Sequence, residues 1–102
     1  MNLPTGFDQR FDSLRLVREL GSYSAAAQEL NLSPSAIAQQ IHALERELDA
    51  LLYIRDGNRL LPTEVCEIAA DYAAQAASLR RRMELEIDAS RREVSSLVVG
   101  VS

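Results

Sequence analysis

In the stretch PSAIAQQIHALEREL, the residues Ser35, Ala38, Gln39, His42 and Arg46 recur three and four positions apart, so on a helix they share one face. That face offers a hydroxyl, a methyl, an amide, an imidazole and a late guanidinium. Such groups form hydrogen bonds without transferring atoms, and the amide of Gln39 suits the donor and acceptor of adenine N6 and N7. The chemistry open to this face is recognition, with plain solvation of Ser35 and Gln39 as the simpler reading. Further on, Arg55, Asn58 and Arg59 surround the turn in YIRDGNRL, where guanidiniums suit phosphate or minor-groove contacts, with plain surface ion pairs as the simpler reading. No nucleophile stands with a base and an orienting acid, so no enzyme is expected. His42 is the single histidine and has no cysteine nearby, so no metal site is expected either. Cys66, among Val65, Ile68 and Ala69, reads as a small buried hydrophobe. The run Arg80, Arg81 and Arg82 is followed by Glu84 and Glu86, which makes a solvated helix face.

Three helices must position the recognition face. Phe7, Phe11, Leu14, Val17 and Leu20 give the first its apolar stripe, and Gly21 supplies a stop. Ser24 caps a short second helix, AAAQEL, whose alanines at 25, 26 and 27 admit a close neighbour. Asn31 and Leu32 form a turn. Ser33 is then an N-cap and Pro34 a first helical residue, so a third helix starts at Pro34 and runs to about Leu48. Ile37, Ile41, Leu44 and Leu48 line its buried side, opposite the recognition face. Two helices joined by such a short turn describe a helix-turn-helix. LLYIRDGNRLLPT follows with a DGN turn between apolar ends, a β-hairpin placed where a wing belongs.

From Thr63, a helix cap, the pattern is helical again. Glu64 and Glu67 favour the helix start, and Ile68, Tyr72, Ala76, Leu79, Met83 and Ile87 form an apolar seam. Thirty residues to about Arg92 make a rod of roughly 45 Å, longer than a three-helix core needs. The simplest partner for the surplus seam is the same helix of a second copy. SSLVVGVS then reads as a polar break and the first strand of a further domain.

The 102 residues suffice for one small core with an appendage, and 47% hydrophobic with 25% charged residues is ordinary for a soluble protein. No apolar run is long enough for a membrane span, the N-terminus has no secretory pattern, and one cysteine excludes an internal disulfide, so the expected location is cytoplasmic. The formal charge of −4 argues mildly against coating nucleic acid, although placement of positive charge matters more than its sum. All eleven basic residues are arginine.

Over residues 7–66 the chain resembles the LysR-type transcriptional regulators, without gaps. The matching positions are Gly21, Ser22, Tyr23, Ala26, Ala27 and Leu30; Ser33, Ala36, Ile37, Gln40 and Ile41; Leu44, Glu45, Leu48, Leu52, Tyr53 and Arg55; and Thr63 with Glu64. PSAIAQQIHALE followed by LPT is most similar to the branch concerned with basic amino-acid export and sensing. The resemblance implies a mainly α fold: a winged helix-turn-helix over 1–62, a linker and dimerisation helix over 63–93, and the start of an effector-binding domain over 94–102. It implies double-stranded DNA as partner, contacted by Ser33, Pro34, Ser35, Ala38, Gln39, His42, Arg55, Asn58 and Arg59, and a homodimer through Ile68, Tyr72, Ala76, Leu79, Met83 and Ile87. It implies no cofactor in this stretch, and a small-molecule effector for the domain beyond it. The chain departs from the family at Pro34, where Gln is common, and at Ala38, where Ser or Thr is common. Gln39, Asn58 and Leu61 replace common arginines, and Cys66 a common glycine. These changes bear on affinity more than on fold, because arginine and lysine on phosphates supply much of the binding free energy. The competing expectation is a winged-helix protein-interaction module without DNA binding. The two differ in whether Arg55, Arg59 and the start of the third helix share a surface free of Asp and Glu.

Overall fold

A computed structural model describes residues 9–101, with side-chain surroundings for 9–92. The order is α1 (Gln9–Leu20), α2 (Tyr23–Leu30), α3 (Pro34–Leu48), β1 (Tyr53–Asp56), β2 (Arg59–Pro62) and α4 (Glu64–Val101). This is the mainly helical winged fold expected.

In α1, Phe11, Leu14 and Val17 are buried, but Leu20 is 45% exposed, against expectation. The reason is geometric. Each step of three residues falls about 60° short of a full turn, so 11, 14, 17 and 20 spiral halfway round the helix. Phe7 lies outside the described residues. Gly21 ends α1 at φ +72, in the left-handed region that glycine enters most easily, and its N–H bonds the Val17 carbonyl at 2.7 Å.

The cap of α2 is Ser22, not Ser24. Ser22 is extended, and its hydroxyl accepts from the Ala25 N–H, which starts the helix at Tyr23 and leaves Ser24 exposed in its first turn. Ala26 and Ala27 are buried where α2 meets α1 and α3. Asn31 takes the left-handed conformation, and the Leu32 N–H returns to the Ala27 carbonyl at 2.9 Å, closing α2 as the turn residues imply. Ser33 caps α3 through the Ala36 N–H, with Pro34 in the first turn. Ile37, Ile41 and Leu44 are buried and Leu48 partly so.

β1 and β2 pair antiparallel with Tyr53 opposite Pro62, Ile54 opposite Leu61, Arg55 opposite Leu60 and Asp56 opposite Arg59. Of the two central turn residues only Gly57 has positive φ, as a type II′ hairpin turn requires. Thr63 ties the wing base to α4. Its hydroxyl donates to the Leu51 carbonyl at 2.6 Å and accepts from the Cys66 N–H, while its N–H bonds the Leu52 carbonyl.

At 38 residues α4 extends about 57 Å. Its inner side, Cys66, Ala70 and Ala73, is buried, and these small residues let α4 lie close to α1. The seam residues Ile68, Tyr72, Leu79, Met83 and Ile87 are exposed, each by 41% or more. Here a further expectation fails. In place of a break and a strand over 94–102, the helix continues to Val101, and Ser102 lies outside the described residues. A short apolar run has no decisive period of its own. A strand there would need a paired neighbour for its backbone groups, whereas a helix satisfies them within the segment.

Candidate nucleic-acid interface

The exposed side of α3 carries Ser35, Gln39, His42 and Arg46, with Ala38 half-buried at its margin. Burial of Ile37, Ile41 and Leu44 against α1 and α2 turns these residues outward. At one end of this face an open cleft joins three elements. It is lined by Gly21, Ser22, Tyr23 and Ser24 at the start of α2, Pro34 at the start of α3, and Arg55, Asn58 and Leu60 of the wing. No carboxylate lines it. At the other end of α3, His42, Glu45, Arg46, Asp49, Ala50 and Leu51 surround a second, shallower hollow.

Contacts of Tyr53 with the helical core set the wing that carries Arg55. Tyr53 is buried, its ring meets that of Tyr23 edge-on with centroids 6.4 Å apart, and its hydroxyl donates to the Leu14 carbonyl at 2.7 Å. Side chains alternate along a strand, so Arg55 shares the face of Tyr53 and points to the α2–α3 side. Arg59 does not. It pairs across the ladder with Asp56, on the face of Ile54 and Leu61, so of the two wing arginines only Arg55 lines the cleft. Burial raises the Tyr23 phenol above its ordinary range, reinforced by Glu45 and opposed by Arg55.

Glu45 anchors the back of α3. One carboxylate oxygen accepts from the Leu52 N–H at 2.8 Å, and the other meets His42 Nδ1 at 2.9 Å. That contact orients the His42 ring and leaves Nε2 as its outward group.

The arginines are unequally used. Arg10 pairs with Glu47, Arg18 with Glu67, Arg15 with Asp12 and Glu19, and Arg80 with Asp12, all on α1 and the elements behind it. Among the described residues, no carboxylate lies within ion-pair distance of Arg46, Arg55 or Arg59. Asp12, Glu19, Glu47 and Glu67 are thus held in pairs away from the cleft, while Glu45 and Asp49 lie beside Arg46 at the far end of α3 and Asp56 faces Arg59 across the wing. The sequence reading missed Gly21, Ser22, Tyr23, Ser24 and Leu60 as cleft residues. A serine directly after the Gly21 stop was the available signal for the true cap, and that cap sets the place of its neighbours.

Residues 9–67 match the family model described as the bacterial regulatory helix-turn-helix protein, LysR family. The chain belongs to the LysR family. Its similarity to the transcriptional activator protein NhaR of Escherichia coli K12 is 40% identity over 83 residues, covering 80% of this chain and 27% of that protein. Among solved structures, ArgP from Mycobacterium tuberculosis superposes with a TM-score of 0.73 at 32% identity, over 81% of this chain and 32% of the other. The DNA-binding domain of CbnR, solved as a DNA complex, gives a TM-score of 0.75 at 25% identity, over 85% of this chain and 99% of that domain. The chain therefore spans about a third or less of the curated full-length relatives, and corresponds to their winged-helix portion with α4. No helix among the described residues is long and apolar enough to cross a membrane.

Proposed function

We propose that this LysR-family chain is the sequence-specific DNA-binding portion of a dimeric cytoplasmic transcription regulator, not an enzyme. Helix α3 enters the major groove, Ser35, Ala38, Gln39 and His42 face the bases, and Ser33, Pro34, Arg55 and Asn58 meet the adjacent backbone. Arg59 reaches the duplex from the outer face of the wing tip. One observation carries the reading: the start of α3 and the inner wing, Arg55 included, form one surface free of carboxylates, while four other arginines are neutralised elsewhere. Arg59 stands outside that surface, across the ladder from Asp56, so Arg55 alone meets the criterion set by the sequence; similarity to the CbnR domain solved with DNA disfavours a protein-interaction module that has lost DNA binding.

The exposed seam of α4 supports the dimer. Its spacing of four, four, three, four and four is the same read in either direction. Two antiparallel copies therefore set Ile68 against the partner's Ile87, Tyr72 against the partner's Met83 and Ala76 against the partner's Leu79. An eleven-residue repeat, at about 3.67 residues per turn, gives such helices a shallow right-handed supercoil. The domain beyond this stretch takes a small-molecule effector. LysG of Corynebacterium glutamicum, 26% identical with a TM-score of 0.76, has been solved with arginine as its effector, which together with ArgP supports the basic amino-acid branch.

Binding of fluorescent duplexes, first selected from a random pool, tests the interface. Gln39→Ala shifts preference by roughly 1–3 kcal/mol at one base pair per half-site, whereas Arg55→Ala weakens all duplexes alike and flattens the salt dependence. If both variants bind like the parent at low salt, the winged helix is not used on DNA.

A further inference from the structure

Resting on that reading, we propose that His42 and Glu45 make duplex binding proton-linked: the complex holds an extra proton on the His42 ring, so acid strengthens binding and alkali weakens it. His42 Nδ1 lies 2.9 Å from one Glu45 oxygen, and the other Glu45 oxygen accepts from the Leu52 N–H at 2.8 Å. The carboxylate, only 12% exposed, is thereby fixed behind a ring that is 60% exposed on the outer side of α3. At 1.5 Å per residue His42 stands about 10 Å along the axis from Ser35, at the rim of a groove roughly 12 Å wide. That rim is dominated by acceptors, phosphate oxygens above all.

The imidazole of the complex therefore sits between two acceptors, the carboxylate behind it and the duplex in front. A neutral ring has one N–H and serves only one of them. With the proton on Nδ1, the bare Nε2 lone pair meets the duplex; with the proton on Nε2, the bare Nδ1 meets the carboxylate. The imidazolium donates to both, and its charge lies between two negative groups. Around it in the same hollow, Arg46 opposes added positive charge, Glu45 and Asp49 favour it, and Ala50 and Leu51 carry none. From α1, Arg10 is paired with Glu47 and Ser13 bonds Gln40. Behind Glu45 stand Tyr23 of α2 and Cys66 of α4, both raised by burial above their ordinary ranges, so neither gives up its proton below about pH 8.

The chain has one histidine, so its ring is followed without ambiguity. Affinity for the selected duplex is measured at constant ionic strength from about pH 5.5 to about pH 8, either side of the range in which an imidazole ordinarily titrates. The expected affinity falls as pH rises, approaching about tenfold per pH unit for each proton held by a half-site. By NMR, the ring C–H resonance titrates at higher pH with duplex than without. His42→Gln flattens the affinity profile, since an amide keeps its donor at every pH. Glu45→Gln separates the pair from simple charge. Its carbonyl still accepts from the Leu52 N–H, and its NH2 then donates to Nδ1, which leaves a neutral ring with Nε2–H outward. That variant should lose most of the pH dependence and bind more tightly than the parent at the alkaline end. An equal gain at every pH, with the slope kept, would reduce Glu45 to a nearby charge and overturn the inference. A flat parent profile, a slope retained in His42→Gln, or a ring titration indifferent to duplex overturns it too, each with DNA binding intact. Should Glu45→Gln fail to fold by circular dichroism, the His42→Gln profile and the ring resonance still decide. Failure to bind any duplex at low salt and at every pH overturns the DNA-binding reading itself.

Discussion

The hydroxyl of Tyr53 in β1 donates to the backbone carbonyl of Leu14 in α1 across 2.7 Å, so the wing is bonded to the middle of the helical core and not only to the chain that precedes it. The contact is buried, and it fixes the strand face from which Arg55 projects two residues later. Tyr53→Phe keeps the ring and its edge-on contact with Tyr23 but loses the bond. The expected cost is about 1 kcal/mol in chemical denaturation, the net worth of a typical hydrogen bond. Duplex affinity should fall with it, because Arg55 is aimed through this strand.

The same corner predicts an alkaline limit. Burial raises the Tyr53 phenol far above its ordinary value, with the neighbouring Cys66 thiol adding to it, and burial likewise raises Cys66, partly offset by the Tyr53 hydroxyl. Both groups are held protonated in the fold. The unfolded chain gives up these protons first, from roughly pH 8.5 for the thiol and pH 10 for the phenol. Stability is therefore complete below about pH 8.5 and falls as pH rises above it. Urea midpoints measured across pH 7 to about pH 11 check this, and Cys66→Ala should remove the earlier part of the fall. A fall that begins below pH 7.5 would contradict it.

Cap substitutions separate the true helix starts from the expected one. Ser22→Ala and Ser33→Ala each remove a hydroxyl that accepts from the third residue on, and each should cost about 1 kcal/mol. Ser24→Ala should change stability little, since alanine is the better helix former in an exposed first turn. Thermal melts of the three variants decide the matter.

Much of this was readable because local signals agreed with packing. Ser33, Pro34 and the stripe through Ile37, Ile41 and Leu44 define α3 to the residue, since cap, φ preference and period all say the same thing. The DGN turn did as much for the wing. Where one signal stood alone it misled: Leu20 followed a spacing of three that drifts off the face, and Ser24 was one of two serines able to cap. The strand expected over 94–102 rested on apolar content without a period. At the interface, the residue types of α3 were legible, but the split of Arg55 from Arg59 was not. Which face of a hairpin meets the core depends on Tyr53 finding the Leu14 carbonyl, a contact 39 positions away in sequence.

The α4 seam yields the last prediction, on dimer geometry. Leu79→Asp with Met83→Asp places carboxylates at the centre of the apolar seam, where burial without a partner costs several kcal/mol, and should leave a monomer by sedimentation. The register is tested separately. In a Cys66→Ala background, Ile68→Cys and Ile87→Cys in one chain should crosslink with each other across two copies. Either cysteine alone should not, because the antiparallel register brings position 68 to the partner's position 87 and sets like positions about 28 Å apart along the axis at 1.5 Å per residue. Efficient crosslinking of Ile68→Cys alone would mean parallel helices, which would also juxtapose the Arg80–Arg81–Arg82 run with its own copy, a repulsion the antiparallel arrangement avoids.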